Sequence, residues 1–192
     1  MEIYLMRHGE CCYTTSDPPL SDKGVAQAKK LAIRCKSIGF ERIVSSDLSR
    51  AVQTAEILVS YAPCGLSADP AFREIDMGDV SASWDAYPDV YAQWVLHQED
   101  IPYPNGENGR DVWSRCRISL EKLIALRHKK IAIVSHGGAI RSIVCGVLGI
   151  PQQKRFFLGA PLENCSISLI RYDEADKKFY LHAFNDFSHL LE

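Results

Sequence analysis

Short apolar runs recur along the chain, and their length and spacing predict the strands of a central sheet. Residues 3–6 are a continuous apolar run, which is typical of a strand buried on both faces, and residues 42–46 (RIVSS) and 129–135 (KKIAIVS) predict a second and a third strand. Residues 165–173 and 178–184 are rich in β-branched and aromatic side chains, and they predict two closing strands around a turn.

Between these runs, apolar side chains repeat at helical spacing. The first such segment continues from Val25 to Ile38, with Ser21 or Asp22 as its N-cap and Gly39 as its end. Other helices are predicted over residues 47–61, 111–128 and 137–149, with one or two helical pieces over 83–97, where Pro88 interrupts the pattern. Strands that alternate with helices indicate a single α/β domain over residues 1–192: a three-layer α/β/α architecture with a mostly parallel central sheet.

The composition excludes several classes of protein. Of the 192 residues, 46% are hydrophobic, which is too many for a disordered chain, and the net charge of −2 argues against a nucleic-acid coat or a binder of anionic membranes. No secretory signal and no apolar run of membrane-spanning length is found. Seven scattered cysteines, an odd number, suit reduced thiols. We therefore expect a cytoplasmic protein without a nucleic-acid or membrane partner.

Three of the predicted strands lead directly to side chains that can bind a ligand or take part in catalysis. The first ends at Arg7 and His8, the second leads into the helix that carries Arg50, and the third ends at His136 and Gly137. In an open α/β sheet, ligands bind outside the carboxyl ends of the strands, so these segments can meet in one place. Glycines permit a close approach of the backbone to a ligand. The planar guanidinium group of arginine can donate two parallel hydrogen bonds, which favours phosphate. The pattern predicts an anion site that prefers phosphate.

A metal site is the alternative reading of His8 followed by Cys11 and Cys12. Zinc sites bring Cys and His ligands together tetrahedrally, often at Cys-x-x-Cys spacing, whereas these two cysteines are adjacent and have no second pair. Arginines beside a divalent cation would also be repulsive. We therefore predict no metal, and we interpret the two thiols as small loop or partly buried residues.

Four motifs in this order resemble those of the histidine phosphatase superfamily, also called phosphoglycerate mutase-like. They are LMRHGE at residues 5–10, SSDLSRAVQTAE at 45–56, FREIDMGD at 72–79 and VSHGGAIRSI at 134–143. The resemblance extends over nearly the whole chain and implies the fold of that family.

The resemblance assigns roles to the residues of the predicted anion site. It makes His8 the nucleophile that becomes phosphohistidine, and it makes Arg7, Arg50 and His136 ligands of the phosphoryl oxygens, with Gly137 beside them. An imidazole nitrogen is nucleophilic near neutral pH without help from a metal, and fixed cations stabilise a phosphoryl group in its transition state. No metal or organic cofactor is required.

The resemblance also assigns Glu74 as the general acid, so that His8, Glu74 and His136 form the catalytic set. A carboxyl group can protonate the leaving alkoxide and later take a proton from water. Asp76 and Asp79 are nearby carboxylates that the sequence leaves as alternatives.

The loop after the first motif departs from the family pattern. Cys11 stands where the family has Thr, and Thr14 stands where it has Asn, so a hydroxyl can still donate to a phosphate oxygen. The Arg and Gln-Gly segment that usually follows is missing, which predicts a more open wall of the pocket.

The sequence therefore predicts a phosphomonoesterase that acts on a small phosphate ester, such as a sugar phosphate, phosphoserine or a nucleoside-like phosphate. Mutases must shield phosphohistidine and hold a second charged group, and this chain lacks the Arg-bearing loop. A phosphoglycerate mutase-type isomerase and a non-catalytic phosphate-binding module stay as alternatives. A homodimer is compatible with the sequence.

Overall fold

A computed structural model describes residues 1–12, 15–159 and 161–191, with no account of the Trp84 side chain. In this part of the chain six strands form one sheet in the order β3-β2-β4-β1-β5-β6. The strands are β1 (Glu2–Arg7), β2 (Arg42–Ser45), β3 (Gly65–Ala68), β4 (Lys130–Ser135), β5 (Ile167–Asp173) and β6 (Lys178–Asp186).

Four strands of the sheet, β1 to β4, are parallel to one another. The pairs β1–β4, β2–β4 and β2–β3 are parallel, whereas β5 pairs antiparallel with both β1 and β6. The carboxyl ends of β1, β2 and β4 therefore lie along one edge. The helices are α1 (Asp22–Cys35), α2 (Ser49–Tyr61), α3 (Pro88–Leu96), α4 (Gly109–Ala125) and α5 (Gly137–Leu148).

Helices cover both faces of the sheet. Ile3 and Leu5 of β1 pack in one apolar cluster with α4 and α5, whereas Met6 packs in a second cluster with α1 and α2. All three side chains are fully buried, as expected where strands have helices above and below. The predicted three-layer α/β/α fold with a mostly parallel sheet is confirmed.

Some elements differ from the prediction. The sequence pattern did not predict β3, because its four residues, GLSA, show no alternation and are mostly exposed. Helix α1 ends at Cys35, before Gly39, which has a positive φ of 75°. Its N-cap is Ser21, whose hydroxyl accepts the N–H of Gly24. The 83–97 segment contains two pieces, because Pro88 begins α3 separately from a 3₁₀ turn over Trp84–Ala86.

Among the helices of the described residues, none is both long enough and apolar enough to cross a membrane.

Candidate active site

The two histidines that follow β1 and β4 lie beside each other, because these strands are parallel neighbours. Arg7 pairs with Ser135 at the end of the ladder, and the His8 N–H donates to the Ser135 carbonyl at 3.0 Å. The rings of His8 and His136 are 4.9 Å apart between centroids, in edge-to-face geometry, and both residues are buried. The structure thus brings together two residues that are far apart in sequence.

The hydrogen bonds of His8 determine which ring nitrogen carries the proton. Nδ1 lies 2.6 Å from the carbonyl oxygen of Gly9, which can only accept, so Nδ1 is the donor. Nε2 accepts the Nε–H of Arg50 at 3.2 Å and therefore holds a lone pair. Burial lowers the pKa of His8 to about 3; the bond to Gly9 opposes the shift, and Arg50 and Arg7 add to it. His8 is consequently a neutral imidazole with its lone pair on Nε2.

The main chain around His8 is held from three sides. Asn164 donates its side-chain N–H to the His8 carbonyl at 3.0 Å, and the Gly9 N–H donates to the Thr54 hydroxyl at 3.2 Å. A Cβ on Gly9 would lie 2.5 Å from the carbonyl oxygen of Gly24. Only glycine fits at this approach between the motif and the first turn of α1.

Arg50 reaches the site from the first turn of α2, where its side chain is only 12% exposed. Its Nη1 lies 3.7 Å from Asp17, and the Asp17 carboxylate also accepts from the backbone N–H and the hydroxyl of Ser49. Asp17 therefore fixes the start of α2 and keeps one side of the Arg50 guanidinium paired, while Nε faces His8.

Arg7 is the last residue of β1 and has an unsatisfied donor. Its Nη1 donates to the carbonyl of Leu162, whereas its buried Nε has no hydrogen-bond partner in the described part of the chain. Buried donors without partners are rare, and an anion oxygen would satisfy this one. A Cβ on Gly137 would lie 3.8 Å from this Nε, so Gly137 borders the same space.

His136 is completely buried, and one of its nitrogens is paired. Nε2 lies 2.9 Å from the hydroxyl of Ser46, while Nδ1 has no partner among the described residues. Burial, together with His8 and the nearby arginines, holds the pKa of His136 well below its usual value. The ring is therefore neutral at neutral pH.

Of the three carboxylates considered from the sequence, Glu74 alone is hydrogen-bonded to α5. Its Oε2 accepts the N–H of Gly138 at 3.1 Å, and its Oε1 accepts those of Ala139 and Ile75 at 2.9 Å. His136 is the N-cap of α5, so this carboxylate is bound to the helical turn that directly follows His136.

The hydrogen bonds of the other two carboxylates go to groups outside α5. Asp76 accepts the N–H of Gly78 at 2.8 Å, and Asp79 accepts from the side chains of Asn105 and Tyr87. Both aspartates are exposed.

The loop after the motif contains the remaining predicted residues. Thr14 lies outside the described residues. Cys11 is buried, and its main chain forms an isolated antiparallel β-bridge with Leu20. Cys12 is exposed, so the adjacent thiols have different environments. Within the described residues, no group of three or more His, Cys, Asp or Glu side chains is arranged to hold a metal ion.

Sequence reasoning missed three residues that hold the site together: Asp17, Ser46 and Asn164. Ser46 and Asp17 do lie within or beside recognisable motifs, but their bonds to His136 and Ser49 cross between elements. Nothing in local spacing signals such contacts.

Comparison with known proteins identifies the family. The model of the histidine phosphatase superfamily (branch 1) matches residues 3–186. The chain belongs to this superfamily. Its members are phosphatases or mutases, so the chain is a histidine-dependent phosphoryl-transfer enzyme.

Individual relatives fall on both sides of that division. The probable phosphoglycerate mutase GpmB of Proteus mirabilis is 33% identical over 100% of this chain and 96% of its own length. Among solved structures, a mycobacterial glucosyl-3-phosphoglycerate phosphatase with inorganic phosphate is 26% identical, with a TM-score of 0.85 and 98% of each chain covered. A putative alpha-ribazole-5'-P phosphatase from Escherichia coli has a TM-score of 0.81 at 23% identity over 97% of this chain and 96% of that one, and it supports the fold.

Proposed function

We propose that the protein is a phosphomonoesterase that hydrolyses a small phosphorylated metabolite through a phosphohistidine on His8. The observation that carries the proposal is the protonation pattern of His8. Nδ1 is fixed as a donor to the Gly9 carbonyl, and the lone pair on Nε2 faces the arginine side of the site. A neutral, oriented imidazole is the form in which histidine acts as a nucleophile.

In the first step, Nε2 of His8 attacks phosphorus and the ester P–O bond breaks. Arg7, with its unsatisfied Nε, and Arg50 bind the phosphoryl oxygens together with His136. Arg50 must exchange its bond with Nε2 for one with a phosphate oxygen, which frees the lone pair at the moment the substrate binds. Glu74 in its protonated form gives its proton to the leaving alkoxide.

In the second step, water attacks the phosphohistidine. Glu74, now a carboxylate, takes a proton from that water, and the P–N bond breaks to release inorganic phosphate and restore the neutral His8. The cycle consumes one ester and one water and needs no metal or organic cofactor.

Hydrolysis rather than mutase activity is supported by the shortened loop after residue 14, which leaves no counterpart of the family's Arg and Gln-Gly segment. The mycobacterial relative with 26% identity is a glucosyl-3-phosphoglycerate phosphatase, which favours a phosphorylated sugar or glycerate derivative as the substrate class. The mutase alternative rests on the name of the relative with 33% identity, a probable phosphoglycerate mutase.

The test is phosphate release from a panel of sugar phosphates, phosphoglycerates, phosphoserine and nucleoside-like phosphates, with and without bisphosphoglycerate. We expect hydrolysis of at least one of these esters without the bisphosphorylated primer. Isomerisation of phosphoglycerate that depends on the primer, with little net release, would establish the mutase instead.

The nucleophile is tested with the His8→Ala variant and a labelled substrate. Wild-type protein quenched within one turnover should carry acid-labile phosphate, and His8→Ala should carry no label and have no turnover while folding normally. Turnover that continues in His8→Ala would disprove the assignment.

A further inference from the structure

Arg115, on the buried side of α4, donates hydrogen bonds to three main-chain carbonyls in the segment that carries Glu74. Its Nη1 donates to the carbonyl oxygens of Ala71 at 2.6 Å and Arg73 at 3.0 Å, and its Nη2 donates to the Glu74 carbonyl at 3.0 Å. The carbonyls of Ala71 and Glu74 belong to half-buried residues, where a backbone acceptor without a donor would be costly. One guanidinium thus determines the path of the main chain up to Glu74.

Glu107 fixes the orientation of that guanidinium. Its Oε1 accepts from Nε of Arg115 at 2.7 Å and its Oε2 from Nη2 at 2.8 Å, a bidentate pair in which both side chains are about three-quarters buried. Glu107 is also tied to the same segment, because Oε2 accepts the Asp76 N–H at 3.0 Å and the Asp76 carbonyl accepts the Glu107 N–H at 2.8 Å. Residues 71–76 are therefore held on both sides of Glu74.

The carboxylate of Glu74 is fixed separately, at the start of α5. It accepts the N–H groups of Gly138 and Ala139, and a Cβ on Gly138 would lie 2.6 Å from Oε1. The main chain is thus bound to α4 and the carboxylate to α5. The main chain and the carboxylate must both stay in place for these hydrogen bonds to coexist, so a shift of the main chain would strain or break the bonds of the carboxylate to α5.

We propose that Arg115, oriented by Glu107, is a positioning residue for the general acid: it holds the main chain of residues 71–74 so that the Glu74 carboxylate reaches the leaving group. This inference rests on the proposed function, in which Glu74 is the acid. The oxygen acceptors of Arg115 are Glu107 and the main chain of residues 71–74, and its charge, which also lowers the pKa of His136, is kept in a lysine variant.

The geometry requires arginine rather than any cation. The planar guanidinium donates to five acceptors: three main-chain carbonyls and two carboxylate oxygens. Its Nε, Nη1 and Nη2 atoms all take part. Lysine keeps the charge but presents a single ammonium that cannot reach five acceptors. Arg115→Lys therefore tests positioning without leaving a buried carboxylate uncompensated.

The experiment measures phosphoenzyme formation by rapid quench for an alkyl phosphate and for p-nitrophenyl phosphate. A nitrophenolate leaves without a proton, whereas an alkoxide needs one, so loss of a positioned acid slows the alkyl ester more. Acid catalysis is worth about 10²–10⁴-fold, so we expect Arg115→Lys to reduce the alkyl rate at least about tenfold more than the nitrophenyl rate. Glu107→Gln, a milder change, should shift the ratio in the same direction.

The matched control is Arg117→Lys, on the same helix. Arg117 is exposed and pairs with Glu121 one turn away, at 3.6 Å, so its replacement should leave both rates unchanged. Thermal unfolding of each variant identifies any general loss of structure. A general loss would slow both substrates equally, and equal slowing in Arg115→Lys overturns the proposal.

A double variant gives the second criterion. In a Glu74→Gln background the acid is already absent, so adding Arg115→Lys should not change the ratio further. An additional change would mean that Arg115 acts through another group, which would overturn the proposal. If Glu74→Gln leaves the ratio of the alkyl and nitrophenyl rates unchanged, Glu74 is not the acid, and this inference fails with that assignment. If no phosphoenzyme is detected in the wild type, the proposed function itself is refuted.

Discussion

The buried, neutral state of His8 predicts a specific loss of stability in acid. Its pKa is lowered from 6.5 to about 3 in the folded protein, first of all by burial. In the unfolded chain the imidazole is exposed to water and titrates near its ordinary value. Between these two pKa values the unfolded chain binds a proton that the folded protein does not. Stability from this residue is therefore complete above about pH 7, falls as the pH decreases toward 3, and falls no further below that.

The size of the effect follows from the two pKa values. Each pH unit between them costs about 1.4 kcal/mol of unfolding free energy. From pH 7.5 to pH 5.0, the linkage relation gives a loss of about 2 kcal/mol from His8 alone. That is a large part of the 5–15 kcal/mol by which an ordinary domain is stable.

Urea unfolding at several pH values, in buffer without phosphate, measures this loss. Phosphate must be left out because an anion bound to the folded protein would stabilise it. The His8→Gln variant has a side chain that does not titrate, so between pH 7.5 and 5.0 it should lose about 2 kcal/mol less than the wild type. His182→Gln, at an exposed position on β6, is the control and should follow the wild type.

Comparison with the wild type is needed because other groups titrate in the same range. His136 also has a lowered pKa, caused first of all by burial, and this main contribution remains in the variant and cancels in the difference. If His8→Gln and the wild type lose the same free energy, His8 takes up its proton normally in the folded protein. His8 would then be the neutral nucleophile of the proposed mechanism only near neutral pH.

Three shorter predictions concern cofactors, thiols and packing. Phosphate release should persist after dialysis against EDTA and should be inhibited by vanadate, and a loss in EDTA that returns with added metal would contradict the metal-independent mechanism. The double variant Cys11→Ser, Cys12→Ser should have a near-normal rate of phosphoenzyme formation, whereas a thousandfold drop, about 4 kcal/mol in barrier, would implicate a thiol. Gly24→Ala should lower the unfolding free energy by about 1–3 kcal/mol, since its Cβ would lie 1.9 Å from the Glu10 carbonyl oxygen. The control Gly65→Ala, with no described atom within 4 Å of the new Cβ, should be close to neutral in the same urea experiment.

The sequence pattern was sufficient for the layers of the fold and insufficient for its edge. The strands β1 and β4 are buried on both faces, and their continuous apolar runs identify them without any tertiary information. The edge strand β3 has little apolar surface to bury, and its conformation depends on backbone pairing with β2. Its existence is a consequence of the sheet, so local composition carries almost no signal for it.

A similar division holds for the site. The four-residue set of Arg7, His8, Arg50 and His136 follows from where strands end, because parallel strands share an edge of the sheet. The contacts that orient these side chains arise from packing between distant elements. The Asn164 bond to His8 joins residues 156 positions apart, and the bonds of Arg115 cross more than 40 positions to residues 71–74. Periodicity reports which face of an element is buried, and it does not report which partner is found there.

The position of β1 in the sheet has a consequence for how the protein folds during its synthesis. This strand precedes the other five in sequence, yet it lies between β4 and β5, so Glu2 pairs with Lys130 on one side and with Arg171 on the other. Contacts so distant in sequence form slowly, because a long loop must close before they can stabilise the chain. As the ribosome releases the chain, the apolar side chains of β1 have no strand partner until β4, at residues 130–135, has been made, and exposed strands aggregate readily during this time. The two histidines can meet only when β1 and β4 join, so catalytic competence arises late, with the central sheet, and fragments that end before β4 should have none.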